Sequence, residues 1–329
     1  MTQSSFEFDA PLPSTPPPTA SAPATAGQLT PEEMAQRLEQ DPDFRVLRRL
    51  VPIHDFGPVP PDADTRRMLV LDTETTGLSH QTDKIIELAM LLVQVDANTG
   101  LPFGPVEVFE GFEDPGMPIP AVAQEVTGIR DEMVQGHRLD DALVAAMVAR
   151  ADLVVAHNAG FDRPFVEARF PVFAAKAWAC SFADIDWKAA GAGSSKLSAL
   201  AQDHGWFYDA HRAQVDCHAL LQVLARPVPK SPTTGLSQLL AASVQPSFKL
   251  RATGSPFESK DQLKARGYRW DAEAKVWFCT LADAQRLEDE LAWLKAEVYG
   301  RRSARVDIEA LDSLVRYSAR PGVLTQQAL

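Results

Sequence analysis

Cysteine is scarce in this chain: three in 329 residues, Cys180, Cys217 and Cys279, odd in number and far apart. That pattern matches neither a disulfide framework nor a C-x-x-C metal site, and it fits a reducing, cytoplasmic compartment. Long apolar runs are missing too, none approaching the roughly 18 residues of a spanning helix. The N-terminus has neither a basic n-region nor an apolar h-region, so neither a membrane span nor export is expected. Positive charge is in deficit, with 32 Lys and Arg against 44 Asp and Glu and a formal net charge of −12. Such a balance disfavours phosphate binding over the whole surface, so a nucleic-acid partner would need a local site. No internal repeat is present.

An apolar content of 45% over this length is enough for one full-sized domain and a smaller second one. Residues 11–26, PLPSTPPPTASAPATA, cannot bury enough surface to offset their ordering entropy, and residues 1–28 are expected to form a disordered tail. A helical extension, 29–65, follows. Thr30 is placed as N-cap, Pro31 at the first helical position and Glu33 as the capping-box partner, with an interruption near Asp41 and Pro42. Between residues 66 and 226, RRMLVLDTE, KIIELAMLLVQVD and PVEVFEGFED predict three antiparallel strands. Alternating elements come next: a helical 120–150 region, the strand DLVVAHN, the helix FDRPFVEARF, the strand-like AWACSFADI, and the helices KLSALAQDHG and AQVDCHALLQVLAR. That order predicts an α/β layer fold on a mixed sheet. Residues 227–247 read as a linker around a small helix, and 248–329 as a smaller α/β accessory module. In that module KDQLKARG and LADAQRLEDELAWLKAEV are predicted helical, KVWFCT is predicted as a strand, and the stretch from Arg305 is expected to add one more helix and a frayed end.

The stretch MLVLDTETTGL, residues 68–78, ends a buried-looking strand with two acids. Residues i and i+2 of a strand share a face, so Asp72 and Glu74 stand side by side. Two such charges about 4 Å apart repel by about 4 kcal/mol at the effective dielectric of a protein surface, and a divalent metal is the usual remedy. AHNAGFDRPF puts Asp162 at the start of a helix after a strand. HRAQVDCHALL puts Asp216 inside a later helix, with His211 five residues before it. Four carboxylates and a histidine would suit two Mg²⁺ or Mn²⁺ ions, and a two-metal site about 4 Å across suits in-line displacement at phosphorus. Taken singly, Asp72 would serve as a strand-end acid, Asp162 as an N-cap and His211 as a surface histidine; three motifs in order are far more specific.

DTETTG, HNAGFD and HRAQVD, in that order, resemble the three motifs of the DnaQ-like DEDDh family of 3′–5′ exonucleases, which includes proofreading subunits and RNase T. The resemblance covers roughly residues 66–226 and implies an RNase H-like fold. It assigns metal binding to Asp72, Glu74, Asp162 and Asp216, and the role of general base to His211. It also implies that Thr73, Thr75, Thr76, Gly77 and Leu78 cradle the terminal nucleotide, with Leu78 wedged against its base, and that Asn158 and Phe161 line the same pocket. One departure is Thr127 in VTGIRDE, where some members carry histidine. His54, His80, His137, His204 and His218 are expected in surface or packing roles, Cys217 as a small buried filler, and His157 has no assigned role.

The accessory module offsets the charge deficit locally. Residues 249–275 carry a net charge of +3, with Phe257, Tyr268, Trp270, Trp277 and Phe278 interleaved or following. Such a mixture either stacks bases while cations follow the backbone, or forms the module's own core. The expected function is metal-dependent release of nucleoside 5′-monophosphates from a single-stranded or frayed 3′ end, single-stranded DNA being favoured over RNA on family breadth. The alternatives are an exoribonuclease trimming RNA 3′ ends and a catalytically silent nucleic-acid-binding protein. A polymerase or repair partner is possible in this family context, and no segment of the chain reads as the polymerase itself.

Overall fold

A computed structural model describes residues 29–300 and 302–329; the expected tail lies outside the described residues. The chain divides into two units, residues 1–46 and 47–329. In the first, the helix Pro31–Glu39 begins as its sequence predicts. Thr30 accepts the Glu33 N–H, and the Glu33 carboxylate returns a bond to the Thr30 N–H at 2.7 Å.

The second unit holds two five-stranded sheets. The first comprises β1 (Thr65–Thr75), β2 (Ile85–Asp96), β3 (Pro102–Phe112), β4 (Leu153–Ala156) and β5 (Ala177–Cys180). In space they run β3-β2-β1-β4-β5, with β2 antiparallel to both neighbours and β4 and β5 parallel to β1. The expected mixed α/β sheet is therefore found. Central β1 is buried on both faces, which is why residues 68–71 read as an unbroken apolar run. Met68 and Val70 point into a core with Ala213, Cys217, Leu220 and Leu224 of the helix Ala213–Leu224. Leu69 and Leu71 point the other way, toward Phe165 and Val166 of the helix Ala159–Arg169.

The small helix expected within residues 227–247 is Gly235–Ser243, and its Leu236 and Leu239 are buried in the same core as Met68 and Val70. The second sheet comprises β6 (Ser247–Ala252), β7 (Arg269–Asp271), β8 (Val276–Leu281), β9 (Arg305–Leu311) and β10 (Val323–Ala328). All its pairings are antiparallel, in the order β10-β9-β6-β8-β7. Leu291 and Leu294, at the end of the helix Ala284–Trp293 and just beyond it, pack on Leu250, Ala252, Val306 and Ile308.

The terminal stretch corrects one expectation. Residues 305–311 form a strand, not a helix, and the chain's end pairs with it from Arg305↔Ala328 to Ala310↔Val323. Val306 and Ile308, two apart, are the strand's buried apolar residues, so the operative period is 2.

The connection between β9 and β10 packs against the first sheet's layer. The Arg163 side chain is wholly buried and donates to the carbonyls of Ser313, Leu314 and Arg316, with Glu167 2.7 Å from its Nε. The Trp178 N–H on β5 donates to the Ser313 carbonyl at 2.9 Å. Arg316 and Tyr317 both meet Asp184. The helix that carries Asp162 is thereby braced by a segment 150 residues downstream.

Candidate active site

Strand parity carries through to the end of β1. Asp72 and Glu74 continue the face of Met68 and Val70, over which the helix Ala213–Leu224 lies, so Asp216 on its first turn meets them. One carboxylate oxygen from each of Asp72, Glu74 and Asp216 lies within 4.8 Å of the others. Thr73 faces the opposite way, and its N–H and hydroxyl donate to Asp162 Oδ1 at 3.1 and 2.8 Å. Asp162 thus stands apart from the three-acid cluster, yet lines the same cleft. This cleft of about 610 Å³ also takes in Thr73, Asn158, Phe161 and His211.

His211 sits in a left-handed backbone conformation, φ 67°, which costs a non-glycine residue about 1 kcal/mol or more. Hydrogen bonds to Asp216 offset that cost: Oδ2 accepts the N–H groups of His211 at 2.7 Å and Arg212 at 3.2 Å, and Oδ1 accepts the Tyr208 hydroxyl at 3.1 Å. The turn leaves the His211 imidazole exposed at the cleft. Asn158 is likewise left-handed, φ 70°, immediately before the Asp162 helix; asparagine is among the few side chains that tolerate this turn.

Thr75 and Thr76 are buried behind the strand end, with the Thr75 hydroxyl donating to the Gly77 carbonyl at 2.6 Å. An added Cβ on Gly77 would fall 2.6 Å from the Asp83 carboxylate, so only glycine fits without displacing that side chain. The turn projects Leu78, which is 87% exposed. Among the expected pocket residues, Thr73, Asn158 and Phe161 line the cleft, whereas Thr75, Thr76, Gly77 and Leu78 form the adjoining turn.

The electrostatics are those of a crowded, desolvated acid cluster. Burial, then the charges of Asp162, Asp216 and Glu74, hold Asp72 well above the carboxylate range. Burial followed by Asp216 and Glu87 pushes Glu74 up to about 8. Burial raises Asp162 to about 7 against the opposing Thr73 bonds. Asp216 is also raised by burial, with the His211 N–H and Tyr208 hydroxyl pulling the other way. Oxygen donors this close, each costly to ionise alone, are the donor set that hard divalent cations take, so the residues fit a metal site.

Sequence reasoning missed Glu87, Arg212 and Tyr208, and left His157 without a role. Glu87 lies directly across from Glu74, wholly buried, and accepts Arg212 Nη2 at 2.9 Å and the Ala213 N–H at 3.0 Å. With Arg212 it pins the His211 loop to β2, and the pairing of KIIELAM with DTET was its one available signal. Tyr208 stands three residues before His211, within reach of Asp216. His157 lines the cleft with Nδ1 2.7 Å from the Ser181 hydroxyl, and burial lowers its pKa to about 4. Cys217 is buried as expected; of the surface and packing roles open to His218 it takes the packing one, with no hydrogen-bond partner for its ring nitrogens among the described residues.

Residues 69–224 match the family model RNase_T, described as exonuclease, over the same stretch in which the three motifs stand. A DNA polymerase III PolC-type of Streptococcus pyogenes serotype M3 is 37% identical over 133 residues, 39% of this chain. The PolC-type polymerase of serotype M1 gives the same identity over the same span. The match spans only 8% of the length of these curated relatives. Among solved structures, an exonuclease X in complex with 5′ overhanging duplex DNA is 24% identical with a TM-score of 0.38, covering 48% of this chain and 89% of that one. A 3′-exonuclease recognising a histone mRNA stem-loop is 13% identical with a TM-score of 0.39, covering 50% and 82%. Among the described residues, no helix is long and apolar enough to cross a membrane.

Proposed function

We propose that the chain is a metal-dependent 3′–5′ exonuclease acting on single-stranded or frayed ends. The convergence of Asp72, Glu74, Asp162, Asp216 and His211 on one cleft within an exonuclease-family segment carries this reading. Asp72, Glu74 and Asp216, with Asp162 beside them, would hold two Mg²⁺ or Mn²⁺ ions. When bound, such ions acidify water and neutralise charge at phosphorus. His211, exposed and fixed through its backbone bond to Asp216, accepts the proton of the attacking water, a role worth roughly 10²–10⁴ in rate. Leu78 wedges against the terminal base, and the 73–77 turn, Asn158 and Phe161 hold the nucleotide.

Similarity to DNA polymerase III PolC-type proteins supports DNA as the substrate class and a polymerase-linked proofreading or repair setting, and the few, scattered cysteines fit a cytoplasmic location. The test is digestion of 5′-labelled single-stranded DNA and matched RNA in Mg²⁺. A ladder shortening from the 3′ end, lost in Asp72→Ala, supports the reading, and faster DNA cleavage supports the substrate. Binding without cleavage in either Mg²⁺ or Mn²⁺ sinks it in favour of a silent binding protein.

A further inference from the structure

The smaller module has a concavity of its own, about 500 Å³, walled by Phe257, Trp270 and Trp277 and flanked by Lys260 and Lys275. Its aromatics are only partly consumed by folding. Tyr268 is buried in the module's core, but Phe257 is 76% exposed and Trp270 51%. Trp270 and Trp277 are cross-strand partners on β7 and β8, their ring centroids 5.5 Å apart, and this mutual contact holds the exposed indole in place. Lys260 Nζ lies 4.3 Å above the Phe257 ring.

Two of the module's arginines are paired, and the two lysines at the groove are not. Arg251 and Arg266 are neutralised by Glu309 and Glu290. Lys260 and Lys275, at the groove, have no carboxylate partner among the described residues. Lys275 is presented by the β7–β8 hairpin, where Asp271 Oδ1 accepts the Glu273 and Ala274 N–H groups and Lys275 takes a left-handed φ of 52°.

We propose that this groove is a second nucleic-acid site, in which bases of a single strand stack on Phe257 and Trp270 while Lys260 and Lys275 meet its phosphates. The proposal rests on the reading of the chain as an enzyme of nucleic-acid ends, and it assigns the module the task of holding the strand. The charge argument selects the occupant. In a chain of net charge −12, two unpaired ammonium groups beside exposed π faces suit a flexible polyanion with stackable bases, whereas an apolar peptide would leave the ammonium groups without a partner.

The test is fluorescence anisotropy of the full chain in EDTA, so that nothing is hydrolysed, with 5′-fluorescein oligothymidylate and oligouridylate of about twelve nucleotides. Each aromatic removed, in Phe257→Ala or Trp270→Ala, is expected to weaken binding by about 5- to 150-fold, the stacking contribution of one base. Lys275→Gly relieves the left-handed backbone, so its thermal midpoint should hold or rise while the salt slope falls by about 0.7. The tighter arm tells DNA from RNA. Affinity and salt slope unchanged in all three variants overturn the proposal. Groove-dependent binding in a protein that hydrolyses nothing in Mg²⁺ would sink the exonuclease reading and leave this one standing.

Discussion

Glu74→Gln should stabilise the metal-free protein at alkaline pH while removing one of the acids proposed to hold the metal. Burial and the neighbouring acids push Glu74 from 4.5 to about 8. A folded pKa raised above the unfolded one means that the folded state holds the extra proton. Stability from that proton is full below about pH 4.5 and is lost as pH rises through about 8. The shift corresponds to an upper limit of about 5 kcal/mol, at 1.36 kcal/mol per pH unit. Urea unfolding in EDTA at pH 5 and pH 8 measures it directly. The wild type should lose several kcal/mol more than Glu74→Gln over that interval, and the variant should be the more stable protein at pH 8. Mg²⁺ should reverse the ranking if the proposed site is right, because an ion held by the intact acid cluster would stabilise the folded state by mass action. The reasoning fails if Glu74→Gln is destabilised at pH 8 in EDTA, or if both proteins lose equal stability between pH 5 and 8.

Other predictions rest on separate features. Arg163→Met removes the buried donor of the Arg316 carbonyl and one partner of Glu167, while Ser318 and Arg320 still serve Glu167, the Trp178 N–H the Ser313 carbonyl and Arg320 the Leu314 carbonyl, and it should cost about 1–3 kcal/mol in urea unfolding. Arg163→Lys should recover little of that loss, because an ammonium cannot reproduce the guanidinium fork. His157 is held neutral with a pKa near 4, so its contribution is full above about pH 6.5 and is lost as pH falls toward 4. His157→Asn should show a shallower loss of thermal midpoint over that window. Glu87→Gln weakens the clamp on Arg212, and should lower kcat through His211 placement while the fold persists by circular dichroism.

The site's acids were legible in the sequence because their signals are local. Asp72 and Glu74 are two apart on a strand, and Asp216 and His211 share one short motif. The α/β sheet was legible for the same reason, each strand announcing itself by composition. What escaped depends on partners far away in the chain. Glu87 reads as an ordinary strand acid until β2 pairs with β1 and Arg212 arrives from 125 residues downstream. The 305–311 stretch mixes apolar and acidic residues in a way that suits a short helix as readily as a strand, and only pairing with β6 and β10 decides it. The brace on Arg163 is made by backbone carbonyls, which carry no sequence signature.

The most direct test of the central claim is single-turnover release of the terminal nucleotide from a 3′-labelled single strand in Mg²⁺, comparing wild type with His211→Ala. The account predicts a nucleoside 5′-monophosphate product and a rate lower by about 10²–10⁴ in the variant, with binding in EDTA unchanged. A wild-type rate in His211→Ala, or release of the 3′ label only after the strand has been shortened from its 5′ end, would contradict it.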